Sequence, residues 1–574
     1  MRKTLSLILS VIMILSVCSF AIPASAAPEG TAINTADEFM AMVSTPADAT
    51  EVSAKYYLAS DITLSATYAE PFWGVLDGNG HTVTVSNPMF ADFSGEVKNL
   101  TIKGEIYYTD MDAAAFTITS SKAFTATNCT NNANVTVMGL GKHIGGFVSS
   151  IKKVETAVVF TDCVNNGAIY IDSTADEKMR AGGFGGIVDS VILTNCVNNG
   201  SVYAKGNACV AAGFVSRAGY TAGMYTAEAY NCTNNGNITY EDTYIAKDGV
   251  SQGSAGGDVG GIFGNVGTKG NAGWYKAWGC VNNGDLKGEY RVGGIFGYVY
   301  GSGSTAFSDM QFCINTGNIT FGRTTPKDGT DYYDWASPFV AYTNTPFTTI
   351  KYCIDTGTIT KKENALSMNP GLSFVGCSSA DTTQYDVKGV YVLNKEQYMY
   401  FSYASAESNA ANRHEISIAD GIIVTTLEDV KSGKVCYEIN ALAEKDDYGW
   451  ADSDSDAPWY FCQKIGTDNY PYGTKTIDNW VVLEGSSYKN GAKVAETEPA
   501  TTEAPKTEAP VETTEAPVEE TQAPAVETEA PAQQTEAPAQ TEAPKTEGGC
   551  GGFVAGGVAI VAILGTALII KKRD

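Results

Sequence analysis

The chain has 574 residues, with 64 Asp and Glu against 38 Lys and Arg and a formal charge of -26. That length exceeds one compact core and asks for roughly two to four units. The charge repels phosphate backbones and so excludes nucleic acid as a partner. With only 3 His there is little material for imidazole or metal chemistry, and no cofactor and no metal are expected; 60 Gly and 31 Tyr point to a turn-rich β protein.

In chain order, Arg2 and Lys3 precede an apolar run from Leu5 to Ile22, and Ala24-Ser25-Ala26 offers a cleavage site. Residues 1–26 therefore read as a secretory signal peptide, and the mature chain is expected to start at Ala27. Thr35-Ala36-Asp37-Glu38 has the form of a capping box leading into Phe39, Met40 and Val43, a short amphipathic helix expected to cap the first coil. Two apolar strand pairs follow, around Tyr57–Ile62 and Trp73–Val83. The span 27–127 is read as this cap and the first coils.

Self-comparison exposes a repeat. Asn128-Cys129-Thr130-Asn131-Asn132 recurs around Cys163, Cys196, Cys232 and Cys280, each followed by Val or Thr and Asn-Asn-Gly, with looser copies at Cys313 and Cys353. The cysteine spacings are 34, 33, 36, 48, 33 and 40. After each copy comes an alternating strand such as Ala168-Ile169-Tyr170-Ile171, then in most copies a glycine-rich strand such as Val292-Gly293-Gly294-Ile295-Phe296-Gly297. Short strands at this period describe the coils of a parallel β-helix, an all-β solenoid in which equivalent positions stack into ladders about 4.8 Å apart. Cys129, Cys163, Cys196, Cys232, Cys280, Cys313 and Cys353 are then a column of buried thiols, too uniformly registered for disulfides and without partners for a metal. The asparagines can bond to the next coil's asparagine. Gly167, Gly200, Gly236, Gly284, Gly317 and Gly357 are expected to meet the positive φ of the corners.

The Val-Gly-Gly-Ile-Phe-Gly element followed by Cys-x-Asn-x-Gly-x-Ile resembles the GLUG-type repeats of bacterial cell-surface and adhesin-like proteins, repeats also present beside the protease unit of immunoglobulin A-cleaving metallopeptidases. The resemblance spans 128–360 and implies a right-handed parallel β-helix outside the cell.

Beyond Thr360 the period fades. Residues 361–490 are read as a small α+β C-terminal capping module, with a helix from Leu427 to Leu442 and a strand opening at Trp459-Tyr460-Phe461. Residues 491–550 repeat Thr-Glu-Ala-Pro without an aromatic and are expected to be a disordered, extended stalk. Residues 551–570 carry no charge and are long enough for one transmembrane helix. The basic tail 571–574 places that end in the cytoplasm and the rest outside. This order of segments resembles the surface proteins of Gram-positive bacteria, although no Leu-Pro-x-Thr-Gly motif occurs.

Chemistry is sparse. His414-Glu415 begins a zincin motif without its second histidine, so no peptidase activity is carried over. Asp452, Asp454 and Asp456 start a calcium loop, but Ala457 and Gln463 stand where Gly and Glu belong. Arg180, Arg217, Arg291 and Arg323 stand isolated, and the repeats hold no carboxylate pair in phase for a polysaccharide-degrading lyase or hydrolase. Cys436 and Cys462 lie outside the column and are the one candidate disulfide. Trp274, Tyr275 and Trp278, with Tyr332, Tyr333 and Trp335, fall in long intervals between repeats, where rings either stack on sugars or pack over the coil edge. The expected function is a membrane-anchored surface protein binding glycans or extracellular proteins, with an enzyme and a passive spacer as alternatives.

Overall fold

The structure is a computed structural model that describes residues 28–154, 156–175, 178–221, 225–243, 257–268, 273–301, 306–324, 334–345, 347–365, 375–377, 384–393, 421–445, 459–463, 467–474, 488–489 and 492–493. It is built of long parallel ladders. One coil illustrates the rest: Val191–Thr194, a corner, Val197–Asn198 and Val202–Gly206, a loop, Val210–Ala212, a bend, and Val215–Ala218. The next coil begins at Thr226–Tyr230 and pairs in parallel, with Val191 opposite Ala227 and Thr194 opposite Tyr230. A first ladder runs in this way from Thr31–Ile33 to Gln384–Lys388, and a second from Ile62–Leu64 to Ile422–Val424. The third side is L-shaped. A ladder of short strands from Ala113–Ala114 to Trp335–Ser337 bends into another from Phe90 to Val375–Cys377. The stack therefore outruns the sequence repeat at both ends.

Alternating burial follows from the pleat: Val191 and Leu193 are buried while Ile192 and Thr194 are half-buried. Inside, equal positions meet. Phe147 and Phe184 are 5.0 Å apart and Phe184 and Phe214 are 4.8 Å apart, one coil rise each. The repeat cysteines are free buried thiols, and burial pushes Cys232, Cys280 and Cys313 well above the usual thiol range.

The buried asparagines form an amide wire. Asn131 Nδ2 donates to Asn165 Oδ1 at 2.7 Å, and Asn165, Asn198, Asn234 and Asn282 each donate to the next coil at 2.8 Å. The second Nδ2 proton of each goes to a backbone carbonyl two residues on, such as Gly200 O at 2.9 Å for Asn198. The wire ends on Asp355, which accepts from Asn315 at 2.8 Å. A carboxylate fits that end because it brings no further donor to satisfy.

The corner glycines serve a different purpose from the one expected. Positive φ falls on the residue before each cysteine: Asn128, Asp162, Asn195 and Asn231, then Gly279, Phe312 and Tyr352. Gly200 is not left-handed; a Cβ there would sit 2.0 Å from the carbonyl oxygen of Gly167 in the coil before. Close approach between coils, not backbone handedness, demands glycine at this position.

Helix α1, Ala36–Met40, starts at Thr35, whose Oγ1 accepts from Glu38 N at 3.2 Å. Glu38 reaches back to Asn34 N at 2.6 Å, one residue further than a capping box requires. Phe39 and Met42 are buried, whereas Met40 and Val43 are exposed. The helix expected from Leu427 to Leu442 is two helices, α2, Leu427–Lys431, and α3, Lys434–Lys445. Gly433, at φ 85°, breaks them with the left-handed turn that ends helices. Tyr460–Cys462 pairs antiparallel with Tyr472–Thr474.

This α+β module packs on the flank of the last coils. Val430, Val435, Ile439, Ala443, Trp459 and Phe461 share a core with Phe312, Ile314, Tyr352, Ile354 and Tyr391 of the stack. Among the described residues no helix is long and apolar enough to cross a membrane, and 551–570 lies outside them.

Candidate functional site

The six sequence-predicted aromatics do not form one surface. Trp274, Tyr275 and Trp278 lie on a strand of the first ladder, Trp274–Trp278, not on a loop. Its alternation sends Tyr275 inward to complete burial, which removes it as a ligand platform. Trp278 is half-buried between Tyr230 and Trp459, with ring centroids 5.7 and 6.3 Å away, and its Nε1 donates to Asp309 Oδ2 at 3.1 Å. Trp274 alone of the three is exposed, packed on Phe307 at 5.1 Å. Trp335 is 1% exposed and also offers no face to a ligand. Tyr332 and Tyr333 lie outside the described residues, as do His414 and Asp452–Asp456. Cys436 and Cys462 are free, buried neighbours in the α+β module, and Cys436 Sγ donates to Phe461 O at 3.3 Å.

The arginines that stand isolated in sequence converge instead. Each glycine bend folds two strands into an L, so that a residue at the start of one strand faces the residue seven positions later. Asn265 Nδ2, for example, donates to Asp258 Oδ2 at 2.8 Å. Along the stack, the first arm carries His143, Arg180, Val210, Asp258, Arg291 and Trp335 in register. The second carries Ile187, Arg217, Asn265, Tyr298 and Tyr342.

Arg291 bonds to Asp258 Oδ1 at 3.2 Å and to Tyr290 Oη at 3.1 Å, and its guanidinium carbon lies 3.9 Å from the Tyr298 ring centre and 4.6 Å from that of Tyr342. Arg217 bonds to Asn265 Oδ1 and to Gly267 O, the latter at 2.7 Å. Arg180, 5% exposed, donates to Met179 O at 2.7 Å. Burial and the neighbouring Arg217 charge pull the Arg180 guanidinium down to about 10. Arg323 pairs with Asp334 at 3.0 Å beside Tyr290. The sequence signal for this corner was available in the seven-residue spacing across each glycine-containing bend. It is invisible until the bend is known to bring the two ends of that spacing together.

A second candidate is a cleft of about 600 Å³ lined by Asp110, Asp112, Leu140 and Lys142 among others. Beside it His143 Nδ1 meets Asp112 Oδ2 at 2.7 Å. Burial pushes the Asp112 carboxyl up, but the bond and charge of His143 outweigh it and hold Asp112 below its ordinary value. The same carboxylate accepts from the amides of Lys142 and His143 at 2.8 and 2.9 Å, which makes it a clasp between coils. Ser149 Oγ donates to the His143 carbonyl oxygen, not to its ring, so the pair activates no nucleophile there. Among the described residues no cluster of three or more His, Cys, Asp or Glu could hold a metal.

No known protein family matches the chain, and no curated protein matches it. Among solved structures it is similar to a protein from Bacteroides ovatus described as "a putative immunoglobulin A1 protease", at 14% identity and a TM-score of 0.30, over 55% of this chain and 85% of that one. That likeness is too slight to argue from.

Proposed function

We propose that the chain is an adhesin-like surface protein of the GLUG-repeat kind, whose β-helix presents a binding face to glycans or to proteins outside the cell. In this reading the β-helix is right-handed, α1 shields its first coil, and the signal peptide, acidic stalk and apolar segment 551–570 hold it outward from a membrane. The observation that carries the reading is the L-shaped side, where arginine and tyrosine side chains from successive coils share one corner, with Arg217 half-buried and Tyr220 exposed at it. Solenoids use such repeated faces for binding. Two carboxylates of the stack, Asp112 and Asp258, are engaged in structural bonds.

The test is attachment. A Gram-positive host displaying the full chain should adhere to immobilised glycans or matrix proteins above the level of the undisplayed host. Equal attachment of both, or the release of new reducing ends from polysaccharides by the purified chain, would reject the reading in favour of a spacer or an enzyme.

A further inference from the structure

In this corner Arg180 and Arg217 are poorly compensated, whereas Arg291 has Asp258 and the rings of Tyr290, Tyr298 and Tyr342. Among the described residues the corner sets three guanidiniums against one carboxylate, Asp258, and both oxygens of Asp258 are already taken, by Arg291 at 3.2 Å and Asn265 at 2.8 Å. Arg217 is met by a side-chain amide and a backbone carbonyl, and Arg180 by a backbone carbonyl, all of them neutral. The Nε of all three arginines is buried without a hydrogen-bond partner. Burying guanidinium charge without anions is costly, and a chain of net charge -26 has acidic residues in excess with which to neutralise it.

We propose that this corner is an oxyanion site that takes the carboxylate or sulfate groups of an acidic glycan. This deepens the surface-binding reading and rests on it for the word glycan. A guanidinium fork matches the planar or tetrahedral oxyanion, and Arg217, half-buried where Arg180 and Arg291 are buried, is the group the oxyanion meets first. Tyr220, 46% exposed, lies beside Arg217 with its ring 5.9 Å from the guanidinium and offers a flat face to a sugar. An acidic peptide is less well served. Strands on both arms of the corner are hydrogen-bonded to coils on either side, which leaves no open edge for strand addition.

The full chain is titrated with sodium sulfate against sodium chloride at matched ionic strength, while its unfolding midpoint is followed. Binding is then measured to an oligouronate, to its carboxyl-reduced neutral form and to oligoglutamate. The oligouronate should bind and the neutral form should not. Arg217→Gln should weaken oligouronate binding at least about tenfold, and Arg217→Lys should weaken it less. Sulfate raises the midpoint of most proteins by exclusion, so the decisive quantity is the difference between variants. Arg180→Met should raise the midpoint in chloride and lose the extra rise that sulfate gives the unmodified chain.

A midpoint lowered equally in both salts by Arg180→Met would make that arginine merely structural and overturn the proposal. So would an Arg217→Gln variant that folds and binds the oligouronate unchanged. A sulfate response without oligouronate binding, or oligoglutamate bound as tightly as the oligouronate, would overturn the glycan assignment. Cell attachment enters none of these measurements, so lost attachment with an intact sulfate response would remove the adhesin reading alone.

Discussion

At the scale of single residues, the coil is governed by clearances and by buried polar groups. Gly200→Ala places a methyl group 2.0 Å from the backbone oxygen of Gly167 and 2.8 Å from Asn165 Nδ2 of the amide wire. We expect a loss of about 3 kcal/mol or more in urea unfolding, against about 1–2 kcal/mol for an alanine at the exposed glycine Gly80, whose added Cβ meets nothing within 4 Å and whose φ of +80° alone carries the cost. A second residue, Asp309, couples the fold to pH. Burial pushes its carboxyl up to about 6, against the pull of Gln311, Trp278, Lys276 and Lys351. The folded chain then holds this proton more tightly than the unfolded one, whose value is near 3.8. Its contribution is therefore largest below that value, and stability falls as pH rises through about 6, by on the order of 1–3 kcal/mol. Asp309→Asn should flatten the midpoint-against-pH curve across this window. A slope that persists in the variant would assign the effect elsewhere. Composition made the asparagine turns legible at this scale, but not which residue carries the positive φ, because a glycine in sequence does not distinguish backbone handedness from lack of room.

At the scale of elements, the corner before each cysteine records where the α+β module docks. That position is Asn or Asp in four successive coils, with Asn231 donating to Asn195 at 3.0 Å on the exposed surface. It then changes to Gly279, against which Trp459 packs, and to Phe312 and Tyr352, two bulky side chains held at φ 51° and 55°. Left-handed backbone is unfavourable for such residues, and their stacking at 5.2 Å, with Phe461 5.3 Å from Phe312, offsets the strain. Phe312→Asn restores the residue used in the earlier coils and removes the anchor. The module should loosen by about 2–4 kcal/mol. The measurement is thiol labelling: buried Cys436 and Cys462 should react faster while the parallel β signal stays unchanged. Labelling as slow as in the unmodified chain would mean that the flank contact is dispensable. Sequence periodicity marks these last copies as degenerate, whereas their contacts give the degeneracy a purpose.

At the scale of the whole molecule, stability is close to a sum over coils and the interfaces between them. Deleting residues 128–161 removes one coil and joins Thr127 to Asp162, so that every ladder keeps its phase, with Asn165 now starting the amide wire. The shortened chain should fold cooperatively with a midpoint lowered by only a few degrees, whereas deleting 128–144 alone should leave it unfolded. Two equal outcomes in thermal melts followed by circular dichroism would contradict a stack of interchangeable units. Several features of this protein were readable from one dimension: the coil period, the cysteine column, the asparagine wire and the β class. Each rests on identical residues recurring at a spacing that parallel pairing turns into contact. Tertiary structure alone decided the rest, namely the extension of the stack to Val424, the burial of Tyr275 and Trp335, the flank docking of the module and the gathering of Arg180, Arg217 and Arg291. Those depend on which way a bend turns and which side chains then share its inner angle, and a linear pattern carries distances along the chain but not directions across it.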